Sequence, residues 1–193
     1  KRQDTYIRWF GYIKEMGANT LRIYTIQQDV FYEALYEYNR GNDDPLYLIH
    51  GVWVNDYVQN SHRDAFDNDF YDKFLDDCKT MIDVVHGQKK ISLNRMASAG
   101  HGSYRRDISQ WVLGYILGVE WEDVTVAYTD DTYAGNKKYT QYKGRYMYTD
   151  EDATAFEAML CRAGDKAIAY ESSKYKTQKP VAFSNWPTTD PFE

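Results

Sequence analysis

Trp111-Val-Leu-Gly-Tyr-Ile-Leu-Gly-Val-Glu-Trp-Glu122 is a run of mostly apolar residues that ends in a carboxylate beside an aromatic. Val112, Leu113, Tyr115, Ile116 and Leu117 have the near-continuous apolar character of a parallel strand covered on both faces. Gly114 and Gly118 leave room for close backbone approach. Glu120 therefore falls at the carboxyl end of a buried strand, where open α/β sheets and β/α barrels place their chemistry. The plainer alternative is that Glu120 caps the next helix or pairs with a Lys or Arg.

Upstream, Tyr6, Ile7, Phe10, Ile13 and Met16 keep helical spacing, and Gly17-Ala18-Asn19 supplies a stop. Thr20 to Thr25 alternates as a strand, with Thr20, Arg22 and Tyr24 on one side. An Arg inside such a strand is either a structural ion-pair partner or a residue of a polar cleft. A helix is predicted over Asp29 to Asn39, with Val30, Phe31, Ala34, Leu35 and Tyr38 inward, and Arg40 to Pro45 ends it. Leu46 to Val54 reads as a second buried strand that delivers Trp53, Asn55 and Asp56 to its end. Phe70, Phe74, Cys78, Met81, Ile82 and Val85 then mark a helix packed on a sheet. His86 to Gln110 lacks periodicity and reads as a long connection with a short strand. Within it His101 is either a substrate contact or a solvated loop residue, and Arg105 and Arg106 are expected to be solvated.

Downstream, Glu122 to Tyr128 looks helical, and Thr129 to Tyr148 reads as a polar, Tyr-rich loop of the kind that suits a sugar cleft. Thr149 or Asp150 is expected to cap a helix from about Glu151 to Lys174, with Phe156, Met159, Leu160, Ala163 and Ala167 inward. Lys179 to Trp186 is a third short strand, followed by Asn185, Trp186, Thr188 and Asp190 at its end. The spacing places polar and aromatic residues where strands finish: Arg22 and Tyr24, Trp53 and Asn55, Glu120 and Trp121, Asn185 and Trp186. That distribution predicts a parallel β/α architecture with a cleft at the carboxyl ends.

Composition narrows the function. The 193 residues are 43% hydrophobic and are expected to form one domain, residues 1–193. A net charge of -6 with no Lys/Arg run argues against a nucleic-acid or anionic-membrane surface and for a neutral partner. Nineteen Tyr and five Trp are compatible with sugar-stacking platforms as well as with core and rim roles. Cys78 and Cys161 are expected as buried free thiols. No apolar run of about 18 residues and no signal-peptide pattern occurs. No Gly-rich phosphate loop, dinucleotide fingerprint, Gly-x-Ser-x-Gly or zinc spacing occurs either, so no cofactor and no metal is expected. The absence of an initiator Met and the stop at Glu193 lead us to expect a piece of a longer chain, whose parent could be extracellular or membrane-tethered.

Two motifs resemble a known family. Met16-Gly-Ala-Asn-Thr-Leu-Arg-Ile-Tyr24 is similar to the second-strand signature of clan A glycoside hydrolases, including the β-1,3-glucan transglycosylases. Leu113-Gly-Tyr-Ile-Leu-Gly-Val-Glu120 looks like the fourth strand of the same (β/α)8 barrels, which ends in the acid/base Glu. The resemblance implies a TIM-barrel-like fold, incomplete in these residues, with Glu120 as acid/base and Arg22 orienting a nucleophile. The residues gathered at the strand ends and loops are expected to line the sugar cleft: Tyr24, Trp53, Asn55, His101, Trp121, Asn185, Trp186 and Asp190, with an oligo- or polysaccharide as partner. Val119 stands where the family has an Asn before the acid, and the family's nucleophile comes from a seventh strand, beyond this chain.

Glycoside hydrolysis needs two carboxyl groups, about 5 to 5.5 Å apart for retention and about 6.5 to 9.5 Å apart for inversion. Within the chain Glu122 and Asp190 are the candidates for a second carboxylate, with a nucleophile after Glu193 preferred. Glu122 is otherwise an N-terminal helix residue. The rival expectation is a non-catalytic carbohydrate-binding barrel, and a partner-binding or structural domain is third. The open edge of a partial barrel also invites pairing into a homo-oligomer.

Overall fold

The computed structural model describes residues 2–54, 63–92, 100–118 and 120–184. Among these the chain alternates helices with short strands. The order is α1 (Gln3–Glu15), β1 (Thr20–Ile23), α2 (Asp29–Asn39), β2 (Tyr47–Val52), α3 (Asn68–Val85), β3 (Lys89–Ile91) and β4 (Gly102–Tyr104). Then follow a 3-10 turn (Ser109–Trp111), β5 (Val112–Leu117), α4 (Asp123–Tyr133), α5 (Lys137–Thr140), α6 (Ala155–Tyr175) and β6 (Val181–Ala182). A mostly parallel sheet has the order β1-β2-β5-β6, and β3 pairs antiparallel with β4. The result is a mixed α/β fold.

Contacts divide the chain into two compact units, Lys1–Val52 with Thr80–Tyr115 and Trp53–Lys79 with Ile116–Glu193. In the first, α1 and α2 meet through aromatic edges: the Phe31 ring lies 5.7 Å from Phe10 and 5.5 Å from Tyr6, both near-perpendicular. Glycine ends α1 as the sequence requires. Gly17, at φ 86°, donates to Lys14 O while Ala18 donates to Ile13 O, the paired bonds that satisfy the last carbonyls of a helix. Gly87 ends α3 in the same way, with bonds from Gly87 to Val84 and from Gln88 to Asp83. Asn39, the last residue of α2, is buried, and its side-chain amide both donates to and accepts from the backbone of Leu46 at 2.8 and 2.9 Å. That clasp sets where β2 begins.

In the second unit the hub is Trp121, 1% exposed. Its ring packs against Phe74 and Phe156 at 5.2 and 5.1 Å, both edge-on, and against Phe70 at 6.3 Å. Phe156, Met159, Leu160, Ala163 and Ala167 of α6 are buried, as their spacing predicts.

Several expectations need correction. Leu113 is 47% exposed, so β5 is not covered on both faces: apolar composition alone does not say which face finds a partner. The polar stretch after Tyr128 does not begin a loop, because α4 continues to Tyr133. Thr129 and Asp130 are satisfied by tertiary bonds there, Thr129 Oγ1 accepting from Ala65 N–H at 3.0 Å and Asp130 from Phe156 N–H at 2.7 Å. The cap of α6 is Thr154, not Thr149 or Asp150, and it forms a reciprocal capping box with Glu157. The connection after His86 holds two short strands rather than one.

Candidate functional site

The parallel pairing of β1 and β2 runs from Thr20 with Tyr47 to Ile23 with His50, so β1 ends opposite His50 and β2 runs two residues further, to Val52. A Cβ on Gly51 would sit 2.8 Å from the carbonyl oxygens of Ile23 and Tyr24, so glycine is what lets the strands close this tightly. Arg22 is exposed, and its guanidinium carbon lies 4.7 Å from the centre of the Tyr24 ring, itself 52% exposed. The pair is a cation over an aromatic face at a strand end, worth about 0.5–1 kcal/mol when solvated. Trp53, one residue past β2, is half-buried.

Inside the first unit, a buried polar chain holds the connection that follows β1. Tyr32 O–H donates to His50 Nε2 at 2.7 Å and accepts from the Gln27 N–H at 3.2 Å, while His50 Nδ1 lies 3.0 Å from Gly51 O. This assigns the proton to Nδ1. Burial lowers the imidazole to about 4, against a weaker opposing pull from the Gly51 carbonyl, so the ring is neutral; burial also raises the Tyr32 hydroxyl. Tyr104 O–H donates to Gln27 O at 2.8 Å, and Asp29 accepts from Ser103 N–H at 2.9 Å. Gly100 N–H donates to Ile26 O at 2.7 Å. His101 is thus half-buried in a segment tethered on both flanks rather than in a solvated loop. Of the two neighbouring arginines, Arg105 is exposed, and Arg106 bonds Glu33 at 2.9 Å and lies over the Tyr36 ring.

Glu120 follows β5 in an unusual turn. Gly118 has φ 74° and Glu120 φ 56°, and the second is a left-handed conformation that a non-glycine residue adopts at a cost of about 1 kcal/mol or more. Trp121 folds back onto Gly118, where an added Cβ would lie 2.0 Å from the indole Cζ2. The indole anchored among the phenylalanines therefore holds the turn, and the turn presents a half-buried Glu120. Such strain persists only where the surroundings over-determine it, and it concentrates at functional sites. The expectation that Trp121 stacks on substrate is corrected by the same geometry, since its ring is enclosed by core side chains. Glu122 is the N-cap residue of α4. Asn55, Asn185, Trp186 and Asp190 lie outside the described residues.

The second unit also carries an open cleft of about 720 Å³, lined by residues of 137–151. Its wall is a small β-hairpin. Lys143 bridges Tyr148, Gly144 N–H donates to Met147 O at 2.9 Å, and the Tyr142 and Thr149 backbones are tied by a 2.9 Å bond and by the Thr149 hydroxyl. Asp165 of α6, 5% exposed, organises it from within. Its carboxylate accepts from Tyr142 O–H at 2.9 Å, Tyr146 N–H at 2.7 Å and Met147 N–H at 3.1 Å. Burial alone would raise this carboxyl, but those donors outweigh it and hold it below the usual Asp range. Gly144 is required beside it, since a Cβ would fall 2.3 Å from the Asp165 carboxyl carbon.

Neither His50 nor Asp165 was legible as a positioning residue. His50 sits in an apolar run, where a polar residue is the only signal the sequence offers, whereas Asp165 falls on the side of its helix opposite the Phe156, Met159, Ala163 and Ala167 face, where an acid reads as solvated. Among the described residues no cluster of three or more His, Cys, Asp or Glu could hold a metal ion, and no helix is long and apolar enough to cross a membrane. Both cysteines are buried and free. Comparison of the chain with protein-family models, with curated proteins and with solved structures gives no match.

Proposed function

We propose that the chain belongs to the catalytic domain of a glycoside hydrolase or transglycosylase of (β/α)8 type, with Glu120 as its general acid/base. The observation that carries the reading is the turn at the end of β5, which holds a half-buried glutamate in a left-handed conformation against a core-anchored indole. The mostly parallel sheet and the Arg22–Tyr24 pair at the end of β1 support it. In this mechanism the Glu120 carboxyl gives its proton to the glycosidic oxygen as the bond to the anomeric carbon breaks. The second carboxylate attacks the anomeric carbon as that bond breaks, and the Glu120 carboxylate then takes a proton from the water or sugar hydroxyl that displaces it from that carbon. Arg22 orients the second carboxylate, and Tyr24 and Trp53 line the sugar subsites. Within the chain the candidates for that second carboxylate are Glu122, the N-cap residue of α4, and Asp190.

A non-catalytic carbohydrate-binding role is the second reading, favoured by Val119 immediately before the acid. One experiment separates them. The protein is incubated with α- and β-linked oligosaccharides beside its Glu120→Gln variant, and products are quantified with their anomeric configuration. Loss of most of the rate in Glu120→Gln supports the acid/base role. Inertness of the protein, or equal rates, transfers support to the binding role.

A further inference from the structure

We infer that the cleft along residues 137–151 is a binding subsite for a neutral oligosaccharide, separate from the turn that carries Glu120 and built as a rigid platform. The inference rests on the carbohydrate reading and extends it by naming a second place where the sugar is held. Three observations converge. First, the most exposed large apolar side chain here is Tyr148, at 78%, on a hairpin strand that several bonds prevent from collapsing. A tyrosine ring so largely exposed to water offers a flat face to the C–H face of a pyranose, with little ordering left to be done on binding.

Second, the rim charges cancel. Lys137 and Lys143 are matched by Asp150 and Glu151, so the cleft has no field to gather phosphates, polyanions or cationic peptides. The same four groups, with the Gln141 amide, present donors and acceptors in both senses, which is what a polyhydroxy ligand needs at its ring edge. Third, the cleft falls within the roughly 300–1,000 Å³ typical of small-molecule sites. Asp165 acts as a positioning residue: it touches Tyr142, Tyr146 and Met147 and fixes the wall without lining the cleft.

The test uses the 193-residue chain with amide NMR and calorimetry against cellotriose, laminaritriose, xylotriose and maltotriose, with inorganic pyrophosphate as an anionic probe. The expected result is that one trisaccharide shifts the amides of 141–151, and that Tyr148→Ala weakens it about fivefold or more while the remaining amides keep their positions. Gln141→Ala should weaken it as well, and pyrophosphate should leave these amides unmoved. No shift with any trisaccharide, equal binding by Tyr148→Ala, or preferential binding of pyrophosphate overturns the inference. The catalytic reading fails separately. If the protein turns over no glycoside while these amides still shift, the subsite stands without the acid/base role. If turnover depends on Glu120 and Tyr148→Ala changes neither binding nor KM, the catalytic reading stands without the subsite.

Discussion

Replacing Gly118 by Ala tests whether the turn that displays Glu120 is locked by Trp121. Two penalties apply. The φ of 74° is left-handed, which disfavours an L residue by about 1–2 kcal/mol. The new Cβ would also meet Trp121 Cζ2 at 2.0 Å and Cε2 at 2.3 Å, so the indole must shift within its cage of Phe70, Phe74 and Phe156. Overpacking of that kind costs about 1–3 kcal/mol. Gly135→Ala carries the first penalty alone, because Gly135 has a similar φ of 69° and nothing within 4 Å of an added Cβ, so the difference between the two variants isolates the second. The assay is urea unfolding followed by near-UV circular dichroism. With a slope of about 2–3 kcal/mol per M, Gly135→Ala should lower the midpoint by about 0.5 M and Gly118→Ala by about 1–2 M. Equal midpoints for the two variants would refute the argument that the indole, and not the backbone alone, holds the turn.

Two further outcomes follow from the buried polar groups. His50 is held neutral with its folded value lowered to about 4, so the unfolded chain binds the extra proton first, near 6.5. Stability should therefore fall as pH drops from about 6.5 to 4, by up to about 3 kcal/mol, and a histidine NMR titration placing His50 near 6.5 would sink this prediction. Asp165→Asn should lower stability by about 1–3 kcal/mol at neutral pH, because an amide cannot accept from three donors as a carboxylate does. Since Asp165 titrates below its unfolded range, that difference should shrink as pH falls through the Asp region, and a difference independent of pH in thermal unfolding would count against it.

Much of the fold was legible because period and punctuation agreed. Phe70, Phe74, Cys78, Met81, Ile82 and Val85 are all buried along α3, and Gly17 and Gly87 stop their helices where glycine was needed. What could not be read was decided by tertiary partners. Thr129 and Asp130 look like loop residues until Ala65 and Phe156 supply their bonds, and Trp121 looks like a sugar platform until three phenylalanines enclose it. For the candidate site, position was readable and conformation was not. Glu120 could be placed after a strand from its apolar run, yet its left-handed backbone depends on how the next residue packs. The Tyr148 hairpin was visible only as a stretch rich in tyrosine, because its anchor, Asp165, lies in a different element.

Each of the two units is assembled from segments that are not contiguous in the chain, and this bears on synthesis. Gln27 waits for Tyr104, a partner 77 residues later. At the usual rate of elongation that interval is about 4 to 15 s, during which Phe10, Phe31 and Tyr32 form an incomplete aromatic core. A ribosome paused between residues 52 and 80 would hold only the first of the two segments of the first unit, whereas one paused after residue 115 would hold both. The nascent chain should thus pass from protease-sensitive to protected in a single step after Tyr104 and Trp111 emerge, and no single cut within 53–115 would release an intact first unit.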